Sequence, residues 1–131
     1  MPLDPAFKTL SDAGNFAALT TLMPDGQPQT QVMWVDADAD HVLINTEPQR
    51  QKALNVERDD RVAVTVWNKD NPYQYVEVRG RVVEAVDGDE ARAHIDALSQ
   101  KYMGTDYGNP IGPQGRRILK IVPEKVHKNG L

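Results

Sequence analysis

A short stretch around Thr46 holds three residue types suited to gripping an anion. From Asn45 to Asn55 the chain reads NTEPQRQKALN, in which the Thr46 hydroxyl is a donor, Arg50 can bind a phosphate bidentately and Lys52 adds a compact charge. Thr46 and Gln49 match the T-x-x-Q capping box, with Ala53, Leu54 and Val56 as apolar positions, so the pattern predicts a short helix starting at Thr46. The free N–H groups and dipole of a helix start favour a phosphate. Two basic residues solvating an amphipathic helix would give the same spacing. The residues alone leave both readings open.

Other chemistries lack their residues. The chain has no cysteine, which removes disulfides, thiolate metal sites and a thiol nucleophile. Its three histidines, His41, His94 and His127, lie far apart and outside any H-E-x-x-H pattern, and each reads as structural. Asp36, Asp38, Asp40 and Glu47 occupy positions 1, 3, 5 and 12 of a calcium loop, but His41 stands where that loop needs glycine; a solvated turn fits better. Ser11 and Ser99 sit on predicted helices without a G-x-S-x-G elbow. Gly104, Gly108, Gly112 and Gly115 are interrupted by prolines and include no Gly-Lys-Ser/Thr. Chemistry on this chain would therefore come from a bound cofactor. Trp34, Trp67, Tyr73 and Tyr75 suit core or interface packing, or stacking on a cofactor ring.

The elements that must position these residues are mostly strands. Asp4-Pro5 caps a first helix that Gly14 ends. Asn15 to Met23 and Gln27 to Val35 flank the turn Pro24-Asp25-Gly26, and the polar turn Asp36 to Asp40 leads into a strand from His41 to Thr46, so two hairpins follow in series. Arg61 to Trp67 and Tyr73 to Val86 form the next strands, with Gly80 marking a bulge or bend. Asp87 and Glu90 predict a capped longer helix carrying Ala91, Ile95, Leu98 and Tyr102 to Gly104. Thr105 to Gly115 reads as an irregular loop, and Arg116 to Val122 as a last strand before Pro123, with the final HKNGL frayed or docked on a partner. About six strands with short connections predict an antiparallel closed or split β-barrel with flanking helices, because the alternation that parallel crossovers need is missing.

At 131 residues the chain makes one domain, residues 1–131, long enough to bury one core without staples. Lys and Arg number 15 against 19 Asp and Glu, a formal charge of −4 that disfavours a broad nucleic-acid surface. No apolar run approaches the roughly 20 residues of a membrane span, and no signal-like segment opens the chain, so a cytoplasmic protein is expected.

The sequence resembles the split-barrel flavin and deazaflavin oxidoreductases related to pyridoxamine 5′-phosphate oxidase, especially the branch that uses coenzyme F420. The likeness runs through FAALTTLMPDGQPQTQVMWVD, HVLINTEPQRQKALNVERDDRVAVTVW and NPYQYVEVRGRVVE, and its most specific piece is R-x-K-x-x-N at Arg50, Lys52 and Asn55. The resemblance implies a six-stranded FMN-binding split barrel, with a phosphate against Thr46, Arg50, Gln51 and Lys52. It lays the tricyclic ring along the strand carrying Gln29, Gln31, Val32, Met33 and Trp34. It further implies a homodimer with sites at the subunit interface, where Tyr73 or the C-terminal tail reaches across. Many relatives have a proline and small residues before the strand tryptophan, whereas Gln31-Val32-Met33 precedes Trp34 here. Glu57, Asp59 and Asp60 dilute Arg58 and Arg61, weakening any pocket for the polyglutamate tail of F420. The activity implied is reduction of an unsaturated small molecule by reduced F420. An FMN-dependent oxidoreductase and a non-catalytic flavin or F420 carrier are the alternatives, and no proton donor is assigned.

Overall fold

The computed structural model describes residues 1–131. Helix α1 (Pro5–Asp12) begins as its sequence predicts: the Asp4 carboxylate accepts from the Ala6 N–H at 2.9 Å, Pro5 fills the first turn, and Gly14 follows the helix at φ 76°. The remaining elements are β1 (Ala17–Leu22), β2 (Pro28–Met33), β3 (Asp36–Ala37), β4 (Val42–Thr46), α2 (Gln51–Arg58), β5 (Arg61–Asn68), β6 (Asn71–Asp87), α3 (Asp89–Met103) and β7 (Arg117–Asn129). All strand pairs are antiparallel, in the order β2-β1-β5-β6-β7-β4-β3.

The sheet curls into a split half-barrel around one apolar core. Alternate residues of each strand point inward, among them Val64 and Val66 of β5, Val76 and Val78 of β6, Ile44 of β4 and Ile121 of β7, all fully buried. Phe7 on α1, also fully buried, plugs this core, a burial worth about 1.5–3 kcal/mol. At Gly80 the ladder to β7 shifts register, and a Cβ there would stand 2.0 Å from the Val122 carbonyl oxygen. Only glycine lets the two backbones approach so closely.

Several expectations need correction. There are seven strands rather than six, because part of the polar run from Asp36 pairs as β3 with Val42 and Leu43. The second hairpin thus joins β3 to β4, while β2 forms the opposite edge of the sheet. Thr46 caps no helix: it ends β4, paired with Arg117, and α2 starts five residues later after Arg50, which makes no side-chain cap. Asp87 likewise still belongs to β6, and Gly88 at φ 77° precedes α3. In both places a strand ladder claims the residue that the capping box would need. The tail is not frayed. Strand β7 passes through Pro123, whose missing N–H is tolerated because it lies at the Gly80 register shift, and reaches Asn129 opposite Tyr75.

Candidate functional site

The site lies where the curled sheet fails to close. Strand β3 pairs only with Val42 and Leu43, so Asn45 and Thr46 at the end of β4, paired with β7 on one side, face an opening on the other. Across it stands the other sheet edge, β2. Together they line a polar cavity of about 240 Å³ that includes Gln31, Val32 and Met33 from β2, Thr46 from β4, and Arg50 and Lys52 at the start of α2. A second, largely apolar cavity of about 390 Å³ continues from it, sharing Val32, Met33, Asn45, Tyr107 and Arg116 and adding Trp34, Phe16 and Leu98.

The polar cavity is built for negative charge. Three cations, Arg50, Lys52 and Arg116, line it, and the one carboxylate among them is Glu47, 3.2 Å from Arg50 and 3.4 Å from Arg116. Lys52 has no ion pair: burial together with the nearby Arg50 and Arg116 holds its ammonium below the ordinary lysine range, against the pull of Glu47. Burial also pulls the Arg116 guanidinium below its usual value, with Tyr107 and Glu47 opposing. The Thr46 hydroxyl oxygen is buried and has no hydrogen-bond partner, in a residue only 2% exposed. An unpartnered buried hydroxyl beside an unpaired cation leaves donors for a ligand to satisfy. A phosphate group fits that set.

The apolar cavity is walled by stacked rings. Tyr102 lies between Phe16 and Trp34, with centroids 5.5 Å and 5.2 Å away and the Trp34 planes inclined by 3°. The Tyr102 hydroxyl donates to the Asn15 carbonyl at 2.5 Å and accepts from the Val35 N–H at 3.1 Å, fixing the stack, and burial pushes its pKa up to about 12. Tyr107, on the irregular loop before β7, meets Trp34 edge-on and lies under the Arg116 guanidinium at 5.3 Å. A flat aromatic ligand would find apolar walls here next to the cations.

The structure gathers Gln31, Val32, Met33, Thr46, Arg50 and Lys52 at the polar cavity and Trp34 at the apolar one. Four other residues singled out from the sequence lie elsewhere. Asn55 is fully buried on α2, donating to Thr21 Oγ1 at 2.9 Å, which ties α2 to β1, and accepting from Gln51 Nε2 of the same helix at 2.8 Å. Gln29 lines neither cavity, and its Oε1 is buried without a partner. Tyr73 is 78% exposed beside Asn129, at the far end of β7 from Arg116. Sequence reasoning missed Arg116, Asn45 and Tyr107. Arg116 read as the first residue of a strand; a basic pair after a Gly- and Pro-rich loop was its only signal.

A family profile described as pyridoxamine 5′-phosphate oxidase matches residues 3–130. Among solved structures, one named as an F420 reductase is 29% identical, with a TM-score of 0.81, covering 95% of this chain and 98% of its own. A conserved hypothetical protein from Mycobacterium tuberculosis is 24% identical with a TM-score of 0.74, covering 95% of this chain and 82% of its own. The heme storage protein HutZ from Vibrio cholerae shares the barrel at 13% identity and a TM-score of 0.69, over 100% of this chain and 97% of its own. No curated protein matches. With a profile spanning nearly the whole sequence and a split barrel common to these structures, the chain belongs to the pyridoxamine 5′-phosphate oxidase family.

Proposed function

We propose that this protein is an F420-dependent oxidoreductase that transfers hydride between the deazaflavin and a small unsaturated substrate. The observation that carries the reading is Lys52, half-buried between Arg50 and Arg116 without a carboxylate of its own, next to the orphaned Thr46 hydroxyl. These four residues would hold the cofactor phosphate, and Val32, Met33 and Trp34 would border its ring. The bound deazaflavin supplies the hydride chemistry. The chain's own part is to bind, orient and exclude water, with Ile95 and Leu98 of α3 and Tyr107 and Asn109 of the loop lining the apolar cavity. The likeness to a structure named as an F420 reductase supports the choice of deazaflavin.

FMN is the competing occupant, because the charge of the cavity does not separate the two cofactors. Three cations against one carboxylate leave an excess that suits a phosphomonoester dianion as well as a phosphodiester bearing carboxylates. A homodimer belongs to the same proposal. Tyr73 cannot serve the site of its own chain from the far end of β7, but its exposure leaves it free to meet a second copy.

Titrating F420 and FMN side by side against the purified protein tests the reading. Tighter F420 binding, with hydride transfer to an acceptor in a panel of unsaturated compounds, is expected. Tighter FMN binding overturns the cofactor assignment, and F420 binding with no acceptor reduced favours a carrier.

A further inference from the structure

Behind the cation cavity runs a chain of hydrogen bonds that a bound phosphate does not itself require. Asp36 Oδ2 of β3 lies 2.9 Å from His94 Nε2 of α3, and His94 Nδ1 lies 3.0 Å from Asn45 Nδ2 of β4. Asn45 Oδ1 accepts from Arg116 Nε at 2.8 Å, and its Nδ2 donates to the Ala91 carbonyl at 3.0 Å. The His94 side chain is 11% exposed.

The donor and acceptor inventory fixes every proton in this chain. Ala91 offers only an acceptor and Arg116 only donors, so the Asn45 amide has one permitted orientation, with its NH2 toward His94. His94 Nδ1 must then accept, which leaves its proton on Nε2, facing the Asp36 carboxylate. A second proton on His94 would set an N–H against the Asn45 NH2. Turning the amide over would relieve that contact but set its NH2 against Arg116 and its carbonyl against that of Ala91. Either way Asn45 lets go of something, and Arg116 would be left with Glu47 and the Tyr107 face as its anchors.

We propose that His94 is a positioning residue for the anion cavity: neutral, it locks Arg116 toward the bound phosphate through Asn45, and its protonation releases Arg116 and weakens anion binding. This rests on the anion-binding reading above. The charged groups around His94 are Asp36, which is hydrogen-bonded to it, Lys101 and Lys8, which act on Asp36, and Arg116 with Glu47 beyond Asn45. No group of β6 pairs with it. The predicted trend opposes general electrostatics, since a protein becoming more positive at low pH should bind anions more tightly. Loss of the Lys52 proton would also weaken binding, but as pH rises.

Sulfate is the probe, because it stays a dianion across the relevant range. Its binding is followed by ring 15N NMR of His94 and by calorimetry from pH 5 to 8 at constant ionic strength. Sulfate affinity is expected to fall about tenfold as His94 becomes protonated, and by reciprocity saturating sulfate moves the His94 midpoint about one unit to lower pH. His94→Gln, whose amide can still accept from Asn45 and donate to Asp36, should lose the fall in sulfate affinity toward low pH, while His41→Gln keeps the wild-type slope. Simple Coulomb attraction predicts the reverse, a midpoint raised by the anion. A raised or unmoved midpoint with sulfate bound, or a wild-type slope in His94→Gln, overturns the positioning role and leaves the cavity assignment intact. Failure of both sulfate and FMN or F420 to bind overturns the two together.

Discussion

Replacing Lys52 by methionine separates a ligand-binding cation from a structural one. The variant keeps the aliphatic stem and removes only the charge. Lys52 has no carboxylate partner, and burial, Arg50 and Arg116 all work against its charge, so the free protein should lose nothing and its unfolding temperature should hold or rise. A charge-assisted hydrogen bond to phosphate is worth about 1.5–3 kcal/mol. At about 1.4 kcal/mol per decade, affinity for the phosphate-bearing cofactor should fall roughly ten- to 150-fold. The assay is a fluorescence titration of wild type and variant with F420 and FMN, each beside its phosphate-free counterpart, the deazariboflavin core and riboflavin. The counterparts should bind both proteins alike. Equal losses with and without the phosphate, or an unchanged affinity for F420 and FMN, would refute the argument.

Three further outcomes follow from the same geometry. Asn55→Ala strips partners from Thr21 and Gln51 and should cost about 1–3 kcal/mol in chemical denaturation, while the ratio of FMN to riboflavin affinity stays unchanged. Gly80→Ala drives a Cβ into the Val122 carbonyl and should destabilise by at least the roughly 1–3 kcal/mol of overpacking, read by the same denaturation curves. Tyr102 should titrate near 12 by ultraviolet difference spectroscopy: its folded pKa is raised, so its contribution is fully present below pH 10 and is lost as pH climbs from about 10 to 12. Tyr102→Phe should lack that alkaline loss, and an unaltered alkaline profile would contradict the assignment.

The sequence made the strands legible because their apolar residues alternate, as Val62, Val64 and Val66 do, and because turn residues such as Pro24-Asp25-Gly26 separate them. It misled at Thr46 and Asp87, where a local capping pattern competed with long-range pairing to Arg117 that no local window contains. Pro123 read as a stop for a similar reason: its tolerance depends on Gly80, more than forty residues earlier. The candidate site was half legible. Thr46, Arg50 and Lys52, singled out by residue type, do line one polar cavity, and Met33 and Trp34 line the apolar cavity that continues from it. Arg116 and Tyr107 join them only because the sheet curls and the loop before β7 folds back, and Asn55, within the most specific motif, holds the helix instead of lining the cavity.

A crystal structure of the protein soaked with F420 or FMN tests the central claim most directly. The account predicts the cofactor phosphate within hydrogen-bonding distance of Thr46 Oγ1, Lys52 Nζ and the Arg116 guanidinium, with the ring against Met33 and Trp34. A phosphate bound instead at the other arginine-lined cavity, among Arg61, Arg79 and Arg81 on the outer face of the sheet, would contradict it.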